Sequence, residues 1–257
     1  MEYGKVRAKK ALGQHFLTDQ RIAQSIVDAL EGSGSVLEVG PGMGVLTQYL
    51  LQRGDIDLKL VEIDSESVDY LLAHFRGMQG RLLQADFLKL PLEKIFPGDF
   101  HIIGNFPYNI SSQIFFKVLD YKDRIPQVVC MIQKEVAERI AEKPGSKTYG
   151  ILSVLLQAWY DIEYLFTVGP GAFSPPPKVN SAVIRLRRNS RQSLGCDETL
   201  FKKIVKTSFG LRRKTLRNSL RGLVPSAELL QAPVFDLRPE RLSVEDFIDL
   251  TNFIQFG

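Results

Sequence analysis

Residues 105–108 have types and a spacing that could activate an amine on a flat aromatic ring. The side chain of Asn105 offers a carbonyl oxygen, and the backbone carbonyl of Pro107 offers a second hydrogen-bond acceptor close by. Phe106 and Pro107 keep the chain between the two acceptors rigid. Tyr108 supplies a flat face for an unstacked base, a contact that contributes about 1–3 kcal/mol per base. The tetrapeptide therefore predicts a site for a nucleobase that carries an exocyclic amine.

This Asn-x-Pro-Tyr sequence is similar to the active-site motif of amino methyltransferases that act on nucleobases. The lone pair of the N6 amine of adenine is delocalised into the ring, so this amine is a poor nucleophile. Accepting hydrogen bonds from both of its N–H groups favours a more tetrahedral nitrogen with an available lone pair. We expect in-line methyl transfer that depends on positioning and electrostatics, with no metal and no covalent intermediate. The alternative is that residues 107–109 only form a turn before a helix that begins at Ser111.

A glycine-rich turn at residues 38–44 follows the first buried strand. Gly40 and Gly42 permit a tight turn and a close approach of the backbone to a ligand. The dinucleotide-binding fingerprint would need a glycine where Val45 stands, which favours a methyltransferase over a dehydrogenase. A plain strand-to-helix turn is the alternative for this feature alone.

Two carboxylates follow the next two strands. Glu62 can accept hydrogen bonds from both hydroxyls of a ribose, and Asp86 can accept one from the exocyclic amine of a cofactor's adenine. Asp86 could equally be the N-cap of the turn that follows it. Together with the glycine-rich turn, the two carboxylates predict a nucleoside cofactor.

The elements that must position these residues alternate between short apolar runs and amphipathic stretches, as in an α/β protein with a mainly parallel sheet. The pattern predicts strands at residues 35–39, 58–63, 81–85, 100–104, 127–132, 164–168 and 182–186. Helices are expected between them, at residues 46–51, 65–75, 111–119, 133–141 and 151–159. Because open α/β sheets bind ligands at the carboxyl ends of their strands, we expect the four features above to meet at one edge of the sheet.

Residues 1–188 are expected to form this cofactor-binding domain, and residues 189–257 a small helical domain. Residues 173–178 are too rich in proline for a helix and are expected to form an ordered loop. In the second domain we predict helices at residues 199–209, 214–220, 226–230 and 244–254.

Positive charge is concentrated between residues 185 and 221, with twelve Lys and Arg against two acids. The whole chain carries a net charge of +4, so the remainder is acidic. Such segregation is typical of a protein that binds a polyanion. The candidates for contacts with RNA phosphates along a basic helix in residues 202–221 are Arg212, Arg213, Lys214, Arg217 and Arg221. A solvated helix face is the alternative.

Composition narrows the class of protein further. No stretch of 18 or more apolar residues is present, and no apolar segment follows the basic residues 1–10, so neither a membrane span nor secretion is expected. Cys130 and Cys196 are too far apart in sequence to form a ligand-spaced pair, and the three histidines are scattered. These observations favour a cytoplasmic protein without a zinc site or a disulfide framework.

Through nearly its whole length the chain resembles the KsgA-type ribosomal RNA adenine dimethyltransferases. The segments that carry the resemblance are residues 10–17, 38–44, 104–110, 133–136, 173–183, 212–218 and 238–243. The resemblance implies a Rossmann-like sheet of seven strands, one of them antiparallel, followed by a small helical domain. It also implies S-adenosylmethionine as the cofactor and dimethylation of two adjacent adenosines in the 3′-terminal hairpin of small-subunit rRNA. The expected partner is an immature small ribosomal subunit during ribosome biogenesis, and the expected state is a monomer.

The resemblance also assigns roles to residues that the local pattern does not. It places His15 and Leu17 against the cofactor, beside Gly40, Gly42, Glu62, Asp86 and Asn105. Phe173 would be a second face for the target adenine, opposite Tyr108. The chain departs from the family's pattern at His15, where Asn is frequent, and at Phe106, where Leu is frequent. The alternatives are a surface histidine for His15 and core packing for Phe173.

Two other functions remain open at this point. A large-subunit rRNA adenine methylase of the antibiotic-resistance type would share the core motifs, although residues 212–218 and 238–243 favour the small-subunit family. A non-catalytic RNA-binding assembly factor would keep the shape of a methyltransferase, although Glu62, Asp86, Asn105 and Tyr108 are all present. A DNA adenine methyltransferase is less favoured, because its usual motif begins with Asp.

Overall fold

The computed structural model describes residue 6 and residues 8–257. The first residues of the predicted domain 1–188, and most of the basic stretch 1–10, therefore lie outside the described residues. In the described part of the chain, no helix combines the length and the apolar character needed to cross a bilayer.

Seven strands form one twisted sheet with the order β4-β3-β2-β5-β6-β9-β7. They are β2 Gly34–Val39, β3 Ile56–Glu62, β4 Leu82–Gln84, β5 His101–Asn105, β6 Gln127–Gln133, β7 Tyr160–Val168 and β9 Ser181–Arg188. From β4 to β6 all neighbours run parallel, and β9 pairs antiparallel with β6. The predicted α/β class and the antiparallel strand are therefore confirmed.

Burial explains why these segments form a central sheet. Six of the seven residues of β6 are buried, and the last four residues of β2 are buried as well. Near-continuous apolar strands are typical of parallel sheets whose two faces are both covered. A separate antiparallel pair joins β1 Phe16–Leu17 to β8 Phe173–Ser174. The pair was not predicted, because two-residue strands leave no period in a sequence.

Helices follow the strands of the sheet. They are α1 Gln20–Asp28, α2 Thr47–Leu50, α3 Ser65–His74, α4 Ser111–Asp120 and α5 Lys134–Ala141. The side chain of Asp19 accepts hydrogen bonds from the backbone N–H groups of Arg21 and Ile22, which fixes the start of α1. Each predicted helix is present in this region, and α2 is shorter than predicted.

Contacts divide the chain into two compact units that do not follow the sequence order. The first holds the described residues up to Ala137 together with Ile162–Arg188, and the second holds Glu138–Asp161 together with Asn189–Gly257. The division into 1–188 and 189–257 differs from these units in one segment. Glu138–Asp161 belongs to the second unit because its helix packs against helices from the C-terminal part of the chain.

The second unit is built from α6 Ile151–Gln157, α7 Glu198–Gly210, α8 Leu216–Ser219 and α9 Val244–Phe256. Ser243 and Asp246 form a capping box at the start of α9. The predicted helix at residues 226–230 is wrong, since this region contains only the 3-10 turn Leu229–Gln231. Pro225 and Pro233 lie on either side of it, and proline disfavours a continuous helix.

Candidate active site

The glycine-rich turn after β2 lies against aromatic side chains. Gly42 has a φ of +55°, and a Cβ atom there would lie 2.9 Å from the Cε1 atom of Phe16. Gly44 has a φ of +79°, and its Cβ atom would lie 2.5 Å from the ring of Phe75. Both positions combine a left-handed backbone with a close neighbour, so each requires glycine.

Glu62 ends β3 with a carboxylate that is already bound by backbone groups. One oxygen accepts a hydrogen bond from the N–H of Gly42 at 3.0 Å, and the other accepts from the N–H groups of Ile63 and Asp64 at 2.9 Å each. The residue is 5% exposed. Burial raises the pKa of Glu62, whereas the three N–H donors lower it. A carboxylate has about four acceptor positions, so capacity remains for a ligand hydroxyl.

Glu38 is a buried carboxyl in the same cavity that the sequence reasoning did not single out. The hydroxyl of Thr47 donates a hydrogen bond to it at 2.7 Å. Burial raises the pKa of Glu38 to about 8, the Thr47 hydrogen bond opposes that rise, and the charge of Glu62 adds to it. The sequence feature that could have identified Glu38 is its position just before the glycine-rich turn.

Replacing Glu38 with glutamine is expected to remove a pH-dependent destabilisation. The folded state keeps this proton up to about pH 8, whereas the unfolded chain releases it near 4.5. Raising the pH between these values therefore favours unfolding, by about 1.4 kcal/mol per pH unit for a single group. Thermal denaturation from pH 5.5 to 8.5 should show a smaller fall in Tm for E38Q than for the parent chain. An E228Q protein, changed at an exposed glutamate, serves as the control, and equal pH profiles for all three proteins would contradict the expectation.

Asp86 follows β4 and folds back on its own loop. Its Oδ1 atom accepts a hydrogen bond from the N–H of Leu88 at 2.9 Å, and its Oδ2 atom lies 3.7 Å from the ammonium of Lys89. The side chain is 30% exposed. The turn-capping contact that was the alternative for Asp86 is therefore present. Oδ2 accepts no described backbone hydrogen bond, so a ligand amine can still be accommodated at this carboxylate.

Asn105 ends β5 with its amide held in one orientation. Its Nδ2 group donates a hydrogen bond to the backbone carbonyl of His15 at 3.1 Å. This contact leaves the side-chain oxygen as an available acceptor. The carbonyl of Pro107 accepts a hydrogen bond from the N–H of Ile110 at 3.2 Å, and its second lone pair remains. The structure thus places two acceptors in one short segment after β5.

Tyr108 is fixed from two sides. Its hydroxyl hydrogen-bonds to that of Ser181 at 2.5 Å, and its ring lies 5.3 Å from the ring of His15 at an interplanar angle of 29°. The Nδ1 atom of His15 lies 2.9 Å from the carbonyl oxygen of Pro175, so Nδ1 donates, because a carbonyl oxygen only accepts. Burial raises the pKa of Tyr108. His15, which was predicted to contact the cofactor, thus lies beside the predicted stacking residue Tyr108.

One cavity in the first unit brings most of the predicted residues together. It is lined by His15, Leu17, Gly40, Gly42, Glu62, Asp86, Asn105, Pro107 and Tyr108. Glu38 and Gln14 also line it, and apolar walls come from Val39, Val61 and Phe106. A buried carboxylate, a second carboxylate and apolar walls fit a ligand that has ribose hydroxyls, an adenine amine and a flat ring.

Phe173 does not line this cavity. It is 4% exposed and packs in the apolar core with Leu17, its partner in the β1–β8 pair. This burial of Phe173 corresponds to the core-packing alternative. Its stacking role stays a prediction.

The predicted basic element is not one continuous helix. Helix α7 ends at Gly210, residues 211–214 form a turn, and α8 is only four residues long. Arg213, Lys214 and Arg221 are exposed, and no described side chain pairs with them. Arg217 forms an ion pair with Asp236 at 2.7 Å and donates to the carbonyl of Leu230.

Other cations of the basic region also have partners within their own units. Arg212 donates to the carbonyl of Ser146 at 3.4 Å and lies over the ring of Phe209. Four further arginines form ion pairs with acids from elsewhere in the sequence: Arg185 and Arg187 with Glu31 and Glu163, Arg188 with Asp123, and Arg191 with Glu245. The exposed positive charge is therefore smaller than the sequence count suggests.

Metal ligands are a separate matter from surface charge. Among the residues described by the structure, no group of three or more His, Cys, Asp or Glu side chains is arranged as metal ligands would be.

Comparisons with known proteins show the family and the fold that this chain resembles. The family model described as "Ribosomal RNA adenine dimethylase" matches residues 5–255. The chain is 64% identical to Ribosomal RNA small subunit methyltransferase A of Parabacteroides distasonis, over 96% of this chain and 93% of the relative. Its fold is similar to the crystal structure of a dimethyladenosine transferase from Plasmodium falciparum, with a TM-score of 0.77 and 24% identity over 92% and 96% of the two chains. The 23S rRNA methyltransferase ErmE is similar with a TM-score of 0.65 and 26% identity, over 92% of this chain and 99% of that one.

Proposed function

Because the chain belongs to the ribosomal RNA adenine dimethylase family, we propose that it dimethylates the N6 amines of two adjacent adenosines in the 3′-terminal hairpin of small-subunit rRNA. The chain is a methyltransferase with S-adenosylmethionine as its cofactor. The observation that carries the proposal is the orientation of Asn105, whose Nδ2 group is held by the His15 carbonyl. That contact leaves the side-chain oxygen as the acceptor that an adenine amine needs.

Different residues around the cavity are proposed to bind different parts of the cofactor. Glu62 would accept a hydrogen bond from a ribose hydroxyl at its remaining acceptor position, and Asp86 would accept one from the adenine amine; both side chains line the cavity. Gly40 and Gly42 let the backbone approach the ligand, since a side chain at either position would be strained. His15 and Leu17 close the cavity from the N-terminal segment.

Asn105 and Pro107 prepare the amine for reaction. Their two carbonyl oxygens each accept a hydrogen bond from one N–H group of N6, which withdraws the nitrogen lone pair from the ring. S-adenosylmethionine would supply the methyl group and leave as S-adenosylhomocysteine, and the methylated nitrogen would lose one proton for each methyl group gained. Positioned acceptors of this kind act on the developing charge without reorganising during the reaction.

Tyr108 supports the adenine ring through stacking. Its ring and that of His15 are already within stacking distance, so no third ring fits between them. The base therefore stacks on the face of Tyr108 that points away from His15. Ser181 keeps the ring in place through its hydroxyl contact.

The substrate is tested by transfer of radiolabelled methyl groups. The purified chain should label small ribosomal subunits that lack the modification, and should leave protein-free large-subunit RNA unlabelled. The opposite preference would support the alternative of a large-subunit rRNA methylase of the antibiotic-resistance type. The 26% identity to the 23S rRNA methyltransferase ErmE keeps a large-subunit substrate in view. No label on either substrate, combined with tight subunit binding, would support a non-catalytic assembly factor. The immature subunit as partner, a monomeric state and a cytoplasmic location belong to the same proposal.

Contacts with RNA phosphates are proposed for the exposed cations of the second unit. Replacing Arg213, Lys214 and Arg221 with glutamine is expected to weaken binding to the subunit and to lower the slope of log K against log salt by about three, one for each contact. A triple variant of the exposed residues Arg21, Arg76 and Arg81 controls for net charge. Binding measured at several salt concentrations would contradict the proposal if the two triple variants had equal slopes.

Arg212 and Arg217 are proposed to act differently from these three. R217Q should lower the Tm of the protein, because Arg217 forms an ion pair with Asp236 and donates to the carbonyl of Leu230. It should reduce RNA affinity less than the triple replacement does. Arg212 is held beside Phe209 and Ser146. An RNA contact by either residue remains part of the prediction.

A further inference from the structure

The loop at residues 86–90 forms one wall of the cofactor cavity. Ala85, Asp86, Phe87 and Leu88 all line the cavity. The loop is closed by hydrogen bonds from the N–H groups of Lys89 and Leu90 to the backbone carbonyl of Asp86, at 3.0 Å and 3.1 Å. These bonds leave the carbonyl groups of Leu88 and Leu90 without a backbone donor among the described residues, and both need a partner because the residues are half-buried.

Lys117 on α4 supplies that partner. Its ammonium group donates to the carbonyl of Leu88 at 3.0 Å and to that of Leu90 at 2.5 Å. The same group lies 5.3 Å from the centre of the Phe87 ring, which places it over the aromatic face. One side chain from a distant part of the sequence therefore contacts three of the five residues of the loop.

The environment of Lys117 is costly for a cation. Burial lowers the pKa of Lys117, and the nearby carboxylates of Asp86, Glu93 and Asp120 oppose that change. The groups that the ammonium contacts directly are the two loop carbonyls and the Phe87 ring.

Helix α4 begins directly after the segment that carries Asn105, Pro107 and Tyr108. Through Lys117 the same helix reaches the loop that carries Asp86. We propose that Lys117 is a positioning residue that holds the loop at residues 86–90 in the conformation that binds the adenine end of the cofactor. This inference rests on the proposed role of Asp86, and it assigns to Lys117 a function in cofactor affinity rather than in the methyl transfer itself.

The proposal is tested by calorimetric binding of S-adenosylhomocysteine to Lys117→Met, which keeps the length and the apolar stem of the side chain. Losing both charged hydrogen bonds should weaken binding about tenfold and speed amide hydrogen exchange in residues 86–90. Lys117→Arg should restore binding to within about threefold of the parent, since a guanidinium can also donate to two carbonyls. At saturating S-adenosylmethionine, kcat should stay within about twofold, because methyl transfer depends on residues other than Lys117.

Gln113→Met, at an exposed position on the same helix, is the matched control and should bind as the parent does. A folded K117M protein with unchanged affinity and unchanged loop exchange would overturn the proposal. If K117M does not fold, K117Q is measured instead, with the same expectations. A parent chain that fails to bind S-adenosylhomocysteine would count against the proposed function, whereas equal binding by parent and variant counts only against the role of Lys117.

Discussion

An Asn105→Ala protein is expected to transfer methyl groups about 100 to 1000 times more slowly than the parent, as is found when one preorganised polar contact to a reacting group is removed. The substitution removes the side-chain oxygen that would accept a hydrogen bond from N6. It also leaves the carbonyl of His15 without its donor. The loss should appear in kcat, because the acceptor acts on the nitrogen as its bond to the methyl group forms. Single-turnover kinetics with saturating cofactor and subunit would measure it.

Asn105→Asp separates the two roles of this side chain. Aspartate keeps an acceptor at the same position, but it cannot donate to the His15 carbonyl and places a negative charge beside it. Its rate should therefore lie between those of the parent and the alanine variant. Equal rates for parent and N105A, in proteins with the same Tm, would show that the side-chain oxygen does not act on the amine.

Glu62→Ala is expected to weaken cofactor binding about 10- to 100-fold, because one hydrogen bond to a charged group contributes about 1.5–3 kcal/mol. The same change leaves the N–H groups of Gly42, Ile63 and Asp64 without their acceptor in a buried position. We therefore also expect the free energy of unfolding to fall by about 3 kcal/mol. Calorimetry with S-adenosylhomocysteine and chemical denaturation measure the two effects separately.

Glu62→Gln tests the charge with little change in shape. Its oxygen can still accept from Ile63 and Asp64, but its amide group would meet the N–H of Gly42, donor against donor. Binding by this variant should be intermediate and independent of pH. In the parent chain, burial raises the pKa of Glu62, so affinity should weaken as the pH falls through that value and the acceptor is protonated. An unchanged affinity in E62A would remove Glu62 from the cofactor site.

Much of this site could be predicted from the sequence because its residues follow strands that are easy to recognise. Glu62 and Asn105 each end a buried apolar run, and parallel strands bring their carboxyl ends to one edge. Gly42 could be predicted for a similar reason, since a glycine-rich turn between a strand and a helix has few other uses. The local sequence pattern and the position of each residue in the predicted sheet were sufficient to predict where these residues lie.

The rest depends on contacts between residues that are far apart in the sequence. The role of Phe173 beside the base stays a prediction, whereas the pairing of β1 with β8 and the burial of Phe173 could not be foreseen from the sequence. Arg217 belongs to a basic stretch of the sequence, but in the structure its guanidinium forms an ion pair with Asp236. Lys117 looks like an ordinary solvated lysine on a helix, and only the fold places the loop carbonyls of Leu88 and Leu90 against it.

The central claim is tested most directly by the modified nucleosides that the protein makes. Small subunits lacking the modification are incubated with S-adenosylmethionine and the chain, and the digested rRNA is analysed by mass spectrometry. We predict N6,N6-dimethyladenosine at two adjacent positions near the 3′ end, and its absence when N105A replaces the parent. A parent chain that binds cofactor and subunit but yields no dimethyladenosine would contradict the account and assign the protein a binding role.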